Sequence, residues 1–242
     1  MIYYTGDIHG SITRIKKLCE TYKLTSEDTI VILGDVGANY YGNKKDRYLK
    51  KAFSKLAPTI FCIHGNHEIR PEAIPSYQKR KWHGGVVWYE PDYPNILFAI
   101  DGEIFDIDGI KHLIIGGAYS VDKFYRIIHN YGWWPDEQPS EEIKQYVEKQ
   151  IAEKEFDVIL SHTCPYKYRP IEAFISGIDQ NEIDISTEKW LDTIEEKTNY
   201  KAWFCGHWHI DKRIDKIHFL FHGIEINEPL LKEAKKGVDS NG

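Results

Sequence analysis

The sequence has little that points to a membrane, a nucleic-acid groove or an oxidising compartment. No apolar run approaches the ~20 residues that span a bilayer, and Met1-Ile2-Tyr3-Tyr4 passes straight into a strand pattern without a basic leader or cleavage site. A cytoplasmic location without membrane association is therefore expected. The formal net charge is -6, so there is no basic field to hold an extended nucleic acid, and any polyanionic substrate must be captured locally. Cysteine is scarce: Cys19, Cys62, Cys164 and Cys205 stand singly, with no C-x-x-C pair, which favours buried reduced thiols over disulfides. No internal repeat or low-complexity tract interrupts the 242 residues. What is present is a hydrophobic fraction of 42% with 14% aromatics, enough for one large α/β domain, expected over residues 1–230 with a polar tail over 231–242.

The chain alternates short apolar strands with amphipathic segments. Ile2 to Thr5 breaks at Gly6-Asp7-Ile8-His9-Gly10, and Ser11 is placed to cap a helix through Tyr22 with Ile12, Ile15 and Leu18 on one face. Thr29 to Leu33 ends in Gly34-Asp35, Lys45 to Leu56 is helical, and Thr59 to Ile63 runs out into Gly65-Asn66-His67-Glu68. Strands separated by helices predict a parallel sheet with ligands bound beyond the strand C-termini. From Val86 the pattern changes to short antiparallel runs, the clearest being a hairpin of Ile104–Ile107 and Ile110–Ile115 around Asp108-Gly109. A long loop from Tyr119 to Pro139 carries Trp133 and Trp134 and is expected to act as a lid or as an aromatic plug. Further helices are predicted over about 140–154 and 186–197, and strands over 156–160 and 202–205. Those strands end at His162 and at Gly206-His207-Trp208-His209. A last hairpin is predicted around Asp215-Lys216.

Collected from the strand ends, Asp7, His9, Asp35, Asn66, His162, His207 and His209 form two carboxylates, one amide and four imidazoles. Any one of these histidines alone is ordinarily a core or surface imidazole. Seven donors at successive strand ends are better explained by metal. The mixed oxygen and nitrogen set suits Mn, Fe or Zn rather than the all-oxygen shells of Ca or Mg. Residues two apart, such as Asp7 and His9 or His207 and His209, can converge on one centre or straddle two. His67 follows Asn66 and is free to serve as an acid or hydrogen-bond donor.

The series Gly6-Asp7-Ile8-His9, Gly34-Asp35, Gly65-Asn66-His67-Glu68, His162 and Gly206-His207-Trp208-His209 resembles the calcineurin-like metallophosphoesterases, in the family's order across residues 5 to 209. The resemblance implies a four-layer αββα sandwich of two mixed sheets and a dinuclear centre of divalent or trivalent ions. One ion would be held by Asp7, His9 and His209 and the other by Asn66, His162 and His207, with Asp35 bridging and His67 as general acid or transition-state donor. It implies hydrolysis of phosphate mono- or diesters, of nucleotides among them, by a metal-bridging hydroxide. Two departures bear on substrate. Gly34-Asp35 continues Val36-Gly37-Ala38-Asn39, without the Val-Asp-Arg-Gly stretch whose arginine clamps phosphate in protein phosphatases. His207 and His209 are both present, as in phosphodiesterase and nuclease branches. Arg70, Lys123 and Arg126 are the candidate replacement cations, each with the alternative of a packing or surface charge. The expected partner is a phosphorylated small molecule or nucleotide. A phosphoprotein phosphatase and a non-catalytic scaffold on the same fold are the alternatives. Loss of catalysis would remove the His67 equivalent or break the ligand pairs, and neither is missing.

Overall fold

The first strand, β1 (Ile2–Thr5), buries all four of its residues. Ile2 and Tyr4 enter one apolar cluster while Tyr3 enters another. The split recurs in β2 (Thr29–Ile32) and β3 (Thr59–Cys62), where Val31 and Phe61 face the first cluster and Ile30, Ile32, Ile60 and Cys62 the second. A strand covered on both faces has no side to leave polar, which is why these segments read as unbroken apolar runs.

The computed structural model describes residues 1–227; the tail expected over 231–242 lies outside the described residues. After β1 come α1 (Ile12–Tyr22), β2, α2 (Lys44–Phe53), β3, β4 (Gln78–Trp82), β5 (Gly85–Tyr89), β6 (Ile96–Ala99), β7 (Ile104–Ile107) and β8 (Ile110–Ile115). There follow α3 (Lys123–Ile128), α4 (Glu141–Glu153), β9 (Val158–Ser161), α5 (Ser186–Lys197), β10 (Ala202–Cys205), β11 (Lys212–Ile214), β12 (Ile217–Phe219) and β13 (Ile224–Ile226). One sheet has the order β13-β1-β2-β3-β6-β5-β4 and the other β11-β12-β10-β9-β8-β7. Each has a parallel centre, β1-β2-β3-β6 and β8-β9-β10-β12, flanked by antiparallel strands.

Three apolar clusters set the layers. Leu33, Phe61, Phe105, Leu160 and Phe204 fill the space between the sheets. Ile15, Leu18, Leu49 and Phe53 bring α1 and α2 onto the outer face of the first sheet, and Val147, Leu191 and Ile194 bring α4 and α5 onto Ile159 and Trp203 of the second. The result is the expected four-layer sandwich. A polar tie crosses it: His112 Nδ1 faces the Phe105 carbonyl, which can only accept, so Nε2 accepts from the Tyr4 hydroxyl at 2.7 Å.

Several expectations are corrected. The antiparallel half begins at β4 rather than at Val86, because the consecutive charges Lys79-Arg80-Lys81 hid an edge strand. Within that half β6 pairs parallel with β3, and β8 pairs parallel with β9. Ser11 makes no side-chain cap to α1. The 119–139 segment contains α3, and its Trp133 and Trp134 are half-buried. The exposed apolar side chains there are Phe124, Tyr125, Ile127, Ile128 and Tyr131.

Candidate metal centre

The loops that follow β1, β2, β3, β9 and β10 interlock by backbone bonds. His9 N–H donates to Asp35 O, Gly10 N–H to Val36 O and Gly206 N–H to His162 O, each at 2.9 Å. Reaching this arrangement forces His9, Asp35, His207 and His209 to positive φ (43°, 48°, 66° and 50°). A residue with a Cβ pays roughly 1–2 kcal/mol there. Strain at four of the seven donor residues marks a place where side-chain position outweighs backbone comfort. Two glycines make the room. A Cβ on Gly34, itself at φ +100°, would collide with the His162 ring, and one on Gly206 would collide with the Asp7 carboxylate.

Two donor groups result. Asp7, His9 and His209 each present a ligand atom to one point. His209 Nε2 lies 3.2 Å from Asp7 Oδ2 and 3.0 Å from His9 Nε2. Burial pulls the Asp7 pKa upward, but His209, His162 and the His207 N–H at 2.8 Å outweigh it and hold the carboxylate below its usual range. His209 is raised in turn, chiefly by its bond to Asp7. In the second group Asn66 Oδ1 lies 2.8 Å from His162 Nε2 and 3.1 Å from His207 Nδ1. Burial drives the His207 pKa well down, so the ring is neutral. Asp35 stands between the groups. Its Oδ1 is 3.6 Å from His162 Nε2, and it forms ligand clusters with Asp7 and His162 and with His9 and His67.

The hydrogen positions test whether a cation fits. His162 Nδ1 donates to Leu33 O at 2.7 Å, because a carbonyl can only accept. With Nδ1 committed to Leu33, Nε2 is the nitrogen turned toward Asn66. Asn66 Nδ2 donates to Ser120 Oγ at 2.8 Å, and the Ser120 hydroxyl is itself directed to the Glu137 carboxylate, so Asn66 turns Oδ1 inward. Asn66 Oδ1 then lies 2.8 Å and Asp35 Oδ1 3.6 Å from that buried nitrogen. Donors that converge in this way can hold a metal ion, and the carboxylate, amide and imidazole set suits a transition metal.

His67 belongs to a different arrangement. Its N–H donates to Asp35 Oδ1 at 2.8 Å, while Arg126 Nη2 donates to its Nδ1 at 2.6 Å. Arginine cannot accept, so the Nδ1 lone pair is taken and the neutral ring carries its proton on Nε2. Burial lowers the His67 pKa; Asp35 opposes the shift and Arg126 adds to it. The candidate phosphate cations are all engaged. Arg70 is buried against Asp101 at 2.9 Å and donates to Asp136 O, away from the donor cluster. Lys123 lies over the Trp133 ring at 4.4 Å. Arg126 also binds Asp122 Oδ2 at 2.8 Å. Ser120 and Glu137, whose Oε2 accepts from Trp133 Nε1 at 2.8 Å, escaped the sequence reading. Their only signal was position in the long 119–139 segment.

The two-sheet α/β sandwich carries at its strand C-termini an oxygen and nitrogen donor cluster that could hold metal ions. The chain belongs to the calcineurin-like phosphoesterases: the model of that family matches residues 1–211. Members generally hydrolyse phosphoesters and typically bind two metal ions. Among solved structures the chain is similar to TT1561 of Thermus thermophilus, with 12% identity, a TM-score of 0.48, and coverage of 85% of this chain and 80% of that one. It is also similar to AQ665 from Aquifex aeolicus, a protein of unknown function, with 13% identity, a TM-score of 0.41, and coverage of 100% and 99%. No curated protein matches the sequence. No helix among the described residues is long and apolar enough to cross a membrane.

Proposed function

We propose that the protein hydrolyses phosphate esters of small molecules or nucleotides with two transition-metal ions of the Mn, Fe or Zn type. Asp7, His9 and His209 would hold one ion, Asn66, His162 and His207 the other, and Asp35 both. The observation that carries this reading is the convergence of Asn66 Oδ1 and Asp35 Oδ1 on His162 Nε2 in a fully buried position. When bound, the ions supply Lewis-acid polarisation of the phosphoryl group and an activated nucleophile at neutral pH. The chain's own residues do the rest. The αL turns hold the donors rigid, so little reorganisation accompanies charge development. His67 keeps Nε2–H as its donor because Arg126 occupies Nδ1. A neutral imidazole is a poor acid but a good hydrogen-bond donor, so His67 serves phosphoryl charge in the transition state rather than delivering a proton to the leaving group.

Metal analysis of the purified protein followed by turnover of p-nitrophenyl and alkyl phosphate mono- and diesters tests this. Two ions per chain and turnover of at least one ester class are expected. His67→Asn should keep both ions and lower turnover of good and poor leaving groups by one common factor of about 10²–10³. A much larger loss on the alkyl ester would restore the general-acid role. A metal-free protein with no turnover would remove the hydrolase reading.

A further inference from the structure

Asp35, Asn66 and His207 form one wall of a cavity of about 290 Å³ whose remaining lining is mostly apolar. The segment between β9 and α5 supplies most of the apolar part, with Phe174, Ile175, Ile178, Ile183 and Ile185 on the cavity. Ile175 is 57% exposed and the other four are only half-buried. None of the five belongs to any of the three apolar clusters of the described residues. The neighbouring polar atoms Glu188 Oε2, Arg169 Nε and Trp208 Nε1 are shielded from solvent, out of reach of anything in the cavity. Gln180 Nε2 is turned back onto Ile178 O at 3.4 Å.

Large apolar side chains stabilise a fold by burial, and these five have no place in its core. Gathered on one cavity beside a polar cluster, they form a surface that an apolar ligand would cover. An aryl group would need an open ring face to stack on. The Phe174 ring is already engaged by Trp208, 5.8 Å away with ring planes 25° apart, and by the Arg169 guanidinium at 5.4 Å. The four isoleucines leave an aliphatic wall, which takes an alkyl group without demanding an orientation. The volume lies at the small end of ligand cavities, which run from about 300 to 1,000 Å³, and so fits a short alkyl group rather than a long acyl chain. Because the same space reaches Asp35, Asn66 and His207, a molecule that fills it brings its polar end to the donor cluster.

We propose that this cavity takes the aliphatic alcohol portion of the substrate, so that the esters this protein acts on are those of short alkyl alcohols. The phosphate end rests on the phosphoesterase reading above; the aliphatic end does not. n-Alkylphosphonates, in which a C–P bond replaces the ester, test the cavity without turnover. In calorimetric titrations with added Mn²⁺, affinity across the series from methyl to decyl should rise about fourfold per methylene. The rise should stop once the cavity is full. Hexylphosphonate should bind several-fold more tightly than phenylphosphonate, which has the same number of carbons. Ile178→Asp should bring the ratio of hexyl to methyl affinity close to one. Ile178→Trp, which fills part of the space, should make the rise stop at a shorter chain, a change that general damage to the fold would not produce. An unaltered ratio in Ile178→Asp, or an unaltered stopping point in Ile178→Trp, would put the chain elsewhere and overturn the assignment. Phenylphosphonate binding as tightly as hexylphosphonate would overturn the choice of an alkyl group. Equal affinity across the series, or no binding, in a protein that hydrolyses p-nitrophenyl esters would overturn the cavity assignment and leave the phosphoesterase reading intact. Binding that depends on chain length in a protein that turns over no ester would support the cavity assignment and remove the hydrolase reading instead.

Discussion

His9 shows at the scale of one residue how the site is made. Its φ of 43° costs energy for any residue with a Cβ, and its N–H to Asp35 O ties two strand-end loops together. His9→Gly and His9→Ala both delete the imidazole, but only glycine relieves the backbone. His9→Gly is expected to be more stable than His9→Ala by about 1 kcal/mol in denaturant unfolding of the metal-free protein. Equal stability would mean the loop carries no strain. Arg70 illustrates the opposite case, a cation that chemistry offered to phosphate and packing assigned elsewhere. Arg70→Ala leaves Asp101 buried without its partner, so a loss of about 3–5 kcal/mol in unfolding free energy is expected. The KM for a phosphate ester should stay unchanged at a temperature where the variant is folded. A selective rise in KM at unchanged stability would return Arg70 to substrate binding.

At the scale of an element, the 119–139 segment buttresses the donor cluster through Asn66. Glu137 is fixed by Trp133 Nε1 and by the Ser120 N–H, and Ser120 Oγ fixes Asn66. With Ser120→Ala the amide loses the partner that keeps Oδ1 inward and is free to turn its NH2 toward His162. Such outer partners are worth roughly 10–100-fold in metal affinity, so one ion should bind that much more weakly while the second is unaffected. Competition with a chelator, followed by metal analysis, reads the two occupancies. Uniform weakening of both ions, or of neither, would show that Ser120 does not orient the amide.

Across the whole molecule the two sheets are joined by the Tyr4 to His112 bond. Burial pushes the His112 pKa down to about 4, whereas in the unfolded chain it titrates near 6.5. Below about pH 6.5 the unfolded chain takes up a proton that the folded one refuses, so stability present above that pH is lost as pH falls toward 4. At 1.36 kcal/mol per unit the loss approaches about 3 kcal/mol. Unfolding free energies measured from pH 7 to 4 should fall by an amount of that order more in the native protein than in His112→Gln, which has no proton to gain. Parallel curves would mean that His112 is protonated in the fold.

The order of apolar runs and the residues at their ends were legible in the sequence, because a doubly covered strand must be apolar throughout and must surface before it can carry a ligand. Asp7, Asp35, Asn66, His162 and His207 follow directly from that rule. Which donors share a centre could not be read from spacing and came only as what the family resemblance implies. It depends on β1, β2 and β3 lying side by side in one sheet while β9 and β10 lie in the other, a juxtaposition that sequence spacing does not encode. The fates of Arg70, Lys123 and Arg126 were equally hidden. A charged side chain reads the same in sequence whether it faces substrate, an aromatic ring or a buried carboxylate, and only packing decides which of these partners lies within reach.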